Sequence, residues 1–299
     1  MDIHQLLLLR ELNDRGSVTA VADALGISSS AVSQHLSALQ RGFGVALTVK
    51  SGRRLVLTDA GRALADAAVG VADALAVAEA SVDTFLEDES QTVSISAFHS
   101  AGLAWFEAVL ENLGPTGPTV SFTDEDVSFA DFPALTGRHD IVIAHRLPHG
   151  PAWPLDRVHV TPLLTEPVDV ALAASHPLVG RAVLAAQDLV GERWVAVHEG
   201  FPLSQLLEQI SAQAGAPLII AHRINEFFVT AAVVRSGAAI ALLPRKTLGA
   251  RELEGIVLRR VEGITLNRQI DALVRPEALA RAAVRRVIAA LREVAARPG

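Results

Sequence analysis

The chain has 299 residues, enough for about two domains of ordinary size, and half of it is hydrophobic while 20% is charged. Its formal net charge of −7 speaks against a surface coated throughout in cations for nucleic acid. The absence of cysteine excludes disulfides, zinc fingers, thiolate catalysis and iron–sulfur clusters. No stretch of 18 apolar residues is free of charge: even the Ala/Val-rich segment 63–82 carries Asp66, Asp73 and Glu79. The opening Met1-Asp2-Ile3-His4-Gln5 has no cationic region ahead of an apolar run. It does not read as a secretory signal, so a cytoplasmic location with no membrane contact is expected.

The first 58 residues are dense in helix signals. Asp2 with Gln5 has the spacing of a capping box, and Leu6, Leu7, Leu9 and Leu12 form an apolar stripe that Gly16 ends. Ser17 caps a second helix, Val18 to Leu25, stopped by Gly26, and Ser28 caps a third from about Ser29 to Arg41. Two short helices joined by so tight a glycine turn predict a helix-turn-helix. Residues 45–58 are β-rich, turn at Ser51-Gly52 and carry Lys50, Arg53 and Arg54 at the tip, which predicts a two-stranded wing.

Thr58 then caps a long helix from Asp59 to about Glu87. Leu64, Ala68, Val71, Leu75, Ala78, Val82 and Phe85 alternate spacings of four and three along it. That is a heptad seam for a second copy of the chain; packing of the helix on its own domain is the competing reading. Alanine at two seam positions buries little, and Gly70 costs about 1 kcal/mol of helix propensity, so the seam needs other contacts. The polar run 87–91 is the expected hinge. Beyond it strands (92–98, 118–123, 140–145, 167–174, 193–198, 217–224, 239–243, 255–261, 267–274) alternate with helices (101–113, 131–137, 203–214, 226–236, 245–251, 276–296). Such alternation predicts α/β layers. Segments 163–165 and 265–267 read as crossings between two halves.

The run from Gly16 to Gly61, with Ala31-Val32-Ser33, Leu36, Leu39, Gly44-Val45, Leu47, Gly52-Arg53-Arg54 and Leu57-Thr58-Asp59-Ala60-Gly61, resembles the LysR-type transcriptional regulators. Ala97-Phe98-His99-Ser100, Ser175-His176-Pro177-Leu178 and Gly237-Ala238-Ala239-Ile240-Ala241-Leu242-Leu243-Pro244 resemble segments of that family's effector domain, so the likeness spans the chain. It implies an α/β protein overall with three parts: a winged helix-turn-helix over 1–58, a linker and dimerisation helix with hinge over 59–89, and an effector domain over 90–299. The effector domain would be periplasmic-binding-protein-like, with subdomain 1 from 90–162 and 268–299 and subdomain 2 from 163–267. The resemblance also implies promoter binding, a homodimer or homotetramer, and control by a small-molecule effector; RNA polymerase is a candidate further partner. The sequence departs from the family at Ser29-Ser30, Gln34 and Thr48, with Phe43 placed to fill the space of the aromatic usual at the last of these.

The third helix is expected in the major groove, with Ser29, Ser30, Ser33, Gln34 and Ser37 at its reading face and Lys50, Arg53 and Arg54 on phosphate or the minor groove. Three predicted strands run directly into a histidine, at His99, His145 and His198, and strand ends are where open α/β domains bind ligands. With Ser100, Arg146, Ser204 and Asn225 they outline a cleft for a small anionic or polar metabolite. A metal- or pH-responsive use of the histidines is the alternative, and local hydrogen bonding of each is the plain one. No cofactor, resident metal or catalytic residue is expected. GxSxG, Walker A, HExxH and GxGxxG motifs are all lacking, which counts against an enzyme. The 88 residues ahead of the α/β part count against a solute-binding protein. Charge is partitioned: residues 1–65 carry seven cations against five acids, 66–89 carry seven acids and no cation, and the rest nearly balances. The acidity therefore belongs to the linker helix, not to the segment that faces DNA.

Overall fold

A computed structural model describes residues 2–52, 54–85 and 91–297. The head consists of α1 (Ile3–Arg15), α2 (Val18–Leu25) and α3 (Ser29–Gln40). Ser17 accepts from the Ala20 amide and Ser28 from Ala31 as expected, while Asp2 accepts from the His4 amide, one residue short of the Gln5 position of a capping box. Gly16 and Gly26 take φ of 70° and 65°, the left-handed conformation that ends a helix cheaply only at glycine. Leu9, Leu12, Val21, Val32, Leu36, Leu39 and Leu47 form the core of the head, and Phe43 packs against it. The wing is the antiparallel pair β1 (Thr48–Ser51) and β2 (Arg54–Leu57).

Two side chains, Gln40 and Thr58, fix the base of the wing to the helices on either side of it. The Gln40 side chain donates to the Val45 carbonyl and accepts from the Leu47 amide. Thr58 caps α4 (Asp59–Phe85) through the Gly61 amide and donates to the Ala46 carbonyl. A Cβ on Gly61 would lie 1.9 Å from the Leu47 carbonyl oxygen, so only glycine lets helix and wing base meet. Helix α4 packs on α1 and on the 3-10 turn Pro276–Ala280.

The remainder comprises β3 (Val93–Ala97), α5 (His99–Leu113), β4 (Val120–Asp124), α6 (Phe132–Leu135), β5 (Ile141–Arg146), β6 (His159–Ala173), β7 (Val183–Leu184), β8 (Arg193–Ala196), α7 (Ser204–Ala214), β9 (Ile219–Arg223), α8 (Phe227–Arg235), β10 (Ile240–Pro244), β11 (Ile256–Val261), β12 (Asn267–Val274) and α9 (Ala282–Ala295). Strands β4, β3 and β5 run parallel, and antiparallel β12 joins them to the first half of β6. The second half of β6 pairs with β10 and β11, and parallel β8 and β9 continue from β10. One strand, β6, thus belongs to both halves of a single ten-stranded sheet. Each half has its own core, one around Trp105, Phe132, Trp153 and Leu291, the other around Leu184, Trp194, Leu206 and Ile210.

Three expectations change. Residues 245–251 form turns, not a helix. The buried Glu166 carboxylate accepts from the amides of Lys246 and Thr247 and so satisfies that backbone from the side. The strand expected from 167 begins at His159, since β6 is the crossing itself. The helix expected over 276–296 is a 3-10 turn followed by α9 from Ala282.

Candidate nucleic-acid interface and effector cleft

Ser29, Ser30, Ser33, Gln34 and Ser37 are all exposed on α3, opposite the buried Val32, Leu36 and Leu39. They are not chemically equal. Ser33 donates to the Ser29 carbonyl at 2.9 Å, Ser37 to the Ser33 carbonyl at 2.7 Å, and Ser30 shares a bond with Ser28. The hydroxyl protons of Ser33 and Ser37 are thus spent locally, which leaves mainly their lone pairs for a ligand. Gln34 has no partner among the described residues and keeps a free carboxamide. Lys50 and Arg54 are exposed on the wing, either side of Gly52 at φ 62°; Arg53 lies outside the described residues.

The predicted seam divides. Ala68 is fully buried and Leu64 half-buried against the head, while Val71, Leu75, Ala78 and Val82 are exposed. The Phe85 side chain lies outside the described residues. A hollow of about 670 Å³ opens beside this stretch, lined by Leu7, Leu25, Ile27, Ala72 and Leu75 together with charged groups such as Arg10, Glu11, Glu79 and Arg275.

In the effector domain, β3 and β5 deliver His99 and His145 to the line where the two halves meet. A cavity of about 20 Å³ there is lined by Phe98, His99, Ser100, Asp126, His145, Phe201, Asn225, Glu226, Phe227 and Arg268, among others. It holds about one water-sized group. Arg268 is its largest feature. The side chain is fully buried on β12, its guanidinium 4.9 Å from the Phe98 ring centroid and 5.4 Å from that of Phe227. It donates to Glu166 and Thr247 at 2.7 Å and to Ser100 at 3.0 Å, while Nη1 has no partner among the described residues. Ser100 is the second residue of α5, a helix with no side-chain cap, so the dipole end of that helix faces the same point.

His145 is buried edge-on to Phe98 and Phe132. Its Nε2 lies 3.9 Å from Asp126, too far for a hydrogen bond, and burial pushes its pKa below the ordinary 6.5. His99 sits between Asp124, at 3.0 Å, and Glu226, at 2.9 Å. The second contact is an ion-pair approach and not a hydrogen bond, since His99 Nδ1 lacks an in-line acceptor. Burial, with Asp126 and Asp124 adding to it and His99 opposing, pushes the Glu226 pKa up.

Four of the seven expected effector residues, His99, Ser100, His145 and Asn225, therefore line one cavity. The other three do not. The Arg146 guanidinium is turned onto Asp271 at 3.2 Å. His198 is exposed, and only its amide joins this region, through Asn225 Oδ1 at 2.9 Å. Ser204 donates to the Phe201 carbonyl and lines a separate hollow beside α7. Sequence reasoning missed Arg268, Glu166, Asp126 and Glu226; the available signal was a charged residue inside a strand, Glu166 on β6 and Arg268 near the start of β12. No group of three His, Asp or Glu among the described residues is arranged to hold a metal ion. No helix among the described residues is long and apolar enough to cross a membrane.

The chain matches two protein families: "Bacterial regulatory helix-turn-helix protein, lysR family" over residues 3–62 and "LysR substrate binding domain" over 86–296. It is 25% identical over 287 residues to a probable nitrogen assimilation transcriptional activator of Synechococcus elongatus, covering 95% of this chain and 92% of the relative. It is also 25% identical to the regulator MetR of Salmonella typhimurium, over 92% of this chain and 84% of the relative. Among solved structures, ArgP of Mycobacterium tuberculosis superposes with a TM-score of 0.66 at 22% identity, covering 99% and 98% of the two chains. CbnR complexed with its target DNA superposes with a TM-score of 0.51 at 19% identity, covering 99% and 100%. With head and α/β part both matched, the chain belongs to the LysR family of DNA-binding transcriptional regulators controlled by an effector.

Proposed function

We propose that this regulator binds promoter DNA as a dimer, or as a tetramer built from two dimers, with Gln34 at base edges and Lys50 and Arg54 on phosphate. The observation that carries the reading is the exposed, unpartnered carboxamide of Gln34 on the outer face of α3. A glutamine so placed matches the donor and acceptor of adenine in the major groove. The dimer would close over Val71, Leu75, Ala78 and Val82, the part of the seam that the head leaves bare. The effector would sit in the cleft at Ser100, His145 and Arg268, between the two cores. Because β6 runs through both halves and its Glu166 pairs with Arg268 on β12, a ligand there bears on how the halves sit. A ligand that fits one arrangement of the oligomer better than another shifts the population toward it and with it the spacing of the heads on DNA.

Mobility shift on the chain's own upstream DNA tests the first part. Gln34→Ala is expected to lower discrimination by about 1–3 kcal/mol at one base pair per half-site, while binding to unrelated DNA stays unchanged. Lys50→Gln with Arg54→Gln is expected to weaken all sequences alike and reduce the salt slope by about 2 per head. Equal loss on specific and unrelated DNA in Gln34→Ala would remove the glutamine from base reading.

A further inference from the structure

Resting on the cleft reading above, we infer that the effector is a zwitterion of the α-amino acid type, its carboxylate held by Arg268 and Ser100 and its ammonium by Asp126 and Glu226. A plain organic anion, one form of the anionic or polar metabolite expected from sequence, does not suit the site. Arg268 is already neutralised by Glu166, and the remaining carboxylates of Asp124, Asp126 and Glu226 face only His99 as a possible cation. His145, kept neutral by burial, adds no positive charge. The surroundings are thus acidic, and an anion alone would add to the excess. A plain amine would relieve it but would leave Arg268 Nη1 unpaired in an apolar sandwich, which is costly for a buried charged donor.

The open valences match a molecule that carries both charges. Arg268 Nη1 is a buried donor without partner, and the side chain that bears it is fully buried and lines the cavity. Asp126 Oδ1 and Glu226 Oε2 are buried acceptors without partners among the described residues, in the wall of the same cavity. The Ser100 hydroxyl and the uncapped start of α5 add donors on the Arg268 side. The cavity has room for one water-sized group in this closed arrangement, so entry requires the halves to part. The rest of the molecule has a place to go: His99, Ser100, Glu226 and Phe227 also border a groove of about 510 Å³ lined by Leu103, Phe106, Phe122, Phe228 and Leu248. Such walls favour an apolar side chain.

The test uses the full-length protein in a thermal-shift screen of the twenty L-amino acids, beside a panel of mono- and dicarboxylates and of primary amines. The strongest amino acid is then titrated calorimetrically next to its decarboxylated amine and its deaminated acid. One or more apolar amino acids are expected to raise Tm, and each truncated analogue to bind at least about tenfold more weakly, since each loses a charge-assisted hydrogen bond. Glu226→Gln, on the partly exposed wall, is expected to weaken the amino acid by a similar factor and to leave the deaminated acid unaffected. Ser100→Ala reports on location. A carboxylate that binds as tightly without its amine, and is weakened by Ser100→Ala, overturns the zwitterion while the cleft stands. An amino acid whose affinity neither variant changes binds elsewhere, and both readings fall. No shift from any of the twenty overturns the inference, and the carboxylate and amine panels then test the cleft on their own.

Discussion

Two arginines bracket strand β12, and their settings differ. Arg275, just past its end, lies where the winged helix docks on the effector domain. With Arg10 and Arg15 it meets Glu11, Asp14 and Glu277, three cations against three carboxylates, and at the rim Arg157 adds a cation beside the more exposed Asp66 and Asp156. Arg268, at the other end, faces the cleft, where it and His99 stand against Glu166, Asp124, Asp126 and Glu226. The dock is balanced and the cleft is not. Titration divides less cleanly, since at the dock burial also pushes the Asp14 pKa up, against Arg275 and Arg10. Burial would raise the Glu11 pKa, but Arg275 and Arg15 outweigh it and hold the group low. At Glu226 burial wins, helped by its acidic neighbours. Both regions hold buried polar atoms without partners among the described residues, Arg275 Nε and Glu277 Oε2 at the dock among them, so the difference lies in the charge: a structural contact needs balance, and an excess of one sign in a cleft marks a place kept for something else.

The comparison breaks most visibly at Glu166. Glu166→Gln leaves Arg268 fully buried with its counter-ion gone, and a loss of about 3–5 kcal/mol is expected in urea denaturation. Replacing both partners, Glu166→Gln with Arg268→Met, should recover part of it, because no buried charge is left and the amide oxygen at 166 can still accept from Lys246 and Thr247. A loss under about 1 kcal/mol in the single variant would mean that Asp126 or Glu226 already neutralises Arg268. The surplus in the cleft would then be smaller than the geometry indicates.

A smaller effect is expected at the dock. Arg275→Met leaves Arg15 on Glu11 and Arg10 near Asp14, so the carboxylates are not stranded. The lost charged hydrogen bonds should cost about 1–3 kcal/mol. Scanning calorimetry should show the head melting earlier than the effector domain, where the wild type melts with the two coupled. An unchanged trace would show that the apolar contact of α4 with the turn at Pro276–Ala280 holds the dock without the arginine.

The same contrast explains what was legible in the sequence. Local signals read well: Ser17, Ser28, Gly16 and Gly26 each sit where cap chemistry put them, and strand-end position alone brought His99 and His145 to one cavity. Partners far apart in the chain did not read at all. Arg268 and Glu166 are separated by 102 residues, and nothing near either names the other. Arg146 looked like a site residue because it follows His145, yet side chains alternate across a strand, and its guanidinium is turned onto Asp271. The helix expected over 245–251 failed for a related reason, since the Glu166 carboxylate that replaces its hydrogen bonds comes from another strand.

The subtlest test concerns His145. Burial holds its folded-state pKa below the ordinary 6.5, so as pH falls through 6.5 the unfolded chain takes up a proton that the native state refuses. Stability is therefore complete above that value and is lost below it, by at most about 1.4 kcal/mol per pH unit for one group. His145→Gln keeps a polar side chain but cannot charge, so its stability should fall less steeply than wild type below pH 6.5, with the two curves parallel above. The difference between the curves isolates this ring from the other histidines. Parallel curves throughout would mean that His145 takes its proton in the folded state and closes on Asp126, adding a cation to the cleft and bringing its charge closer to the balance seen at the dock.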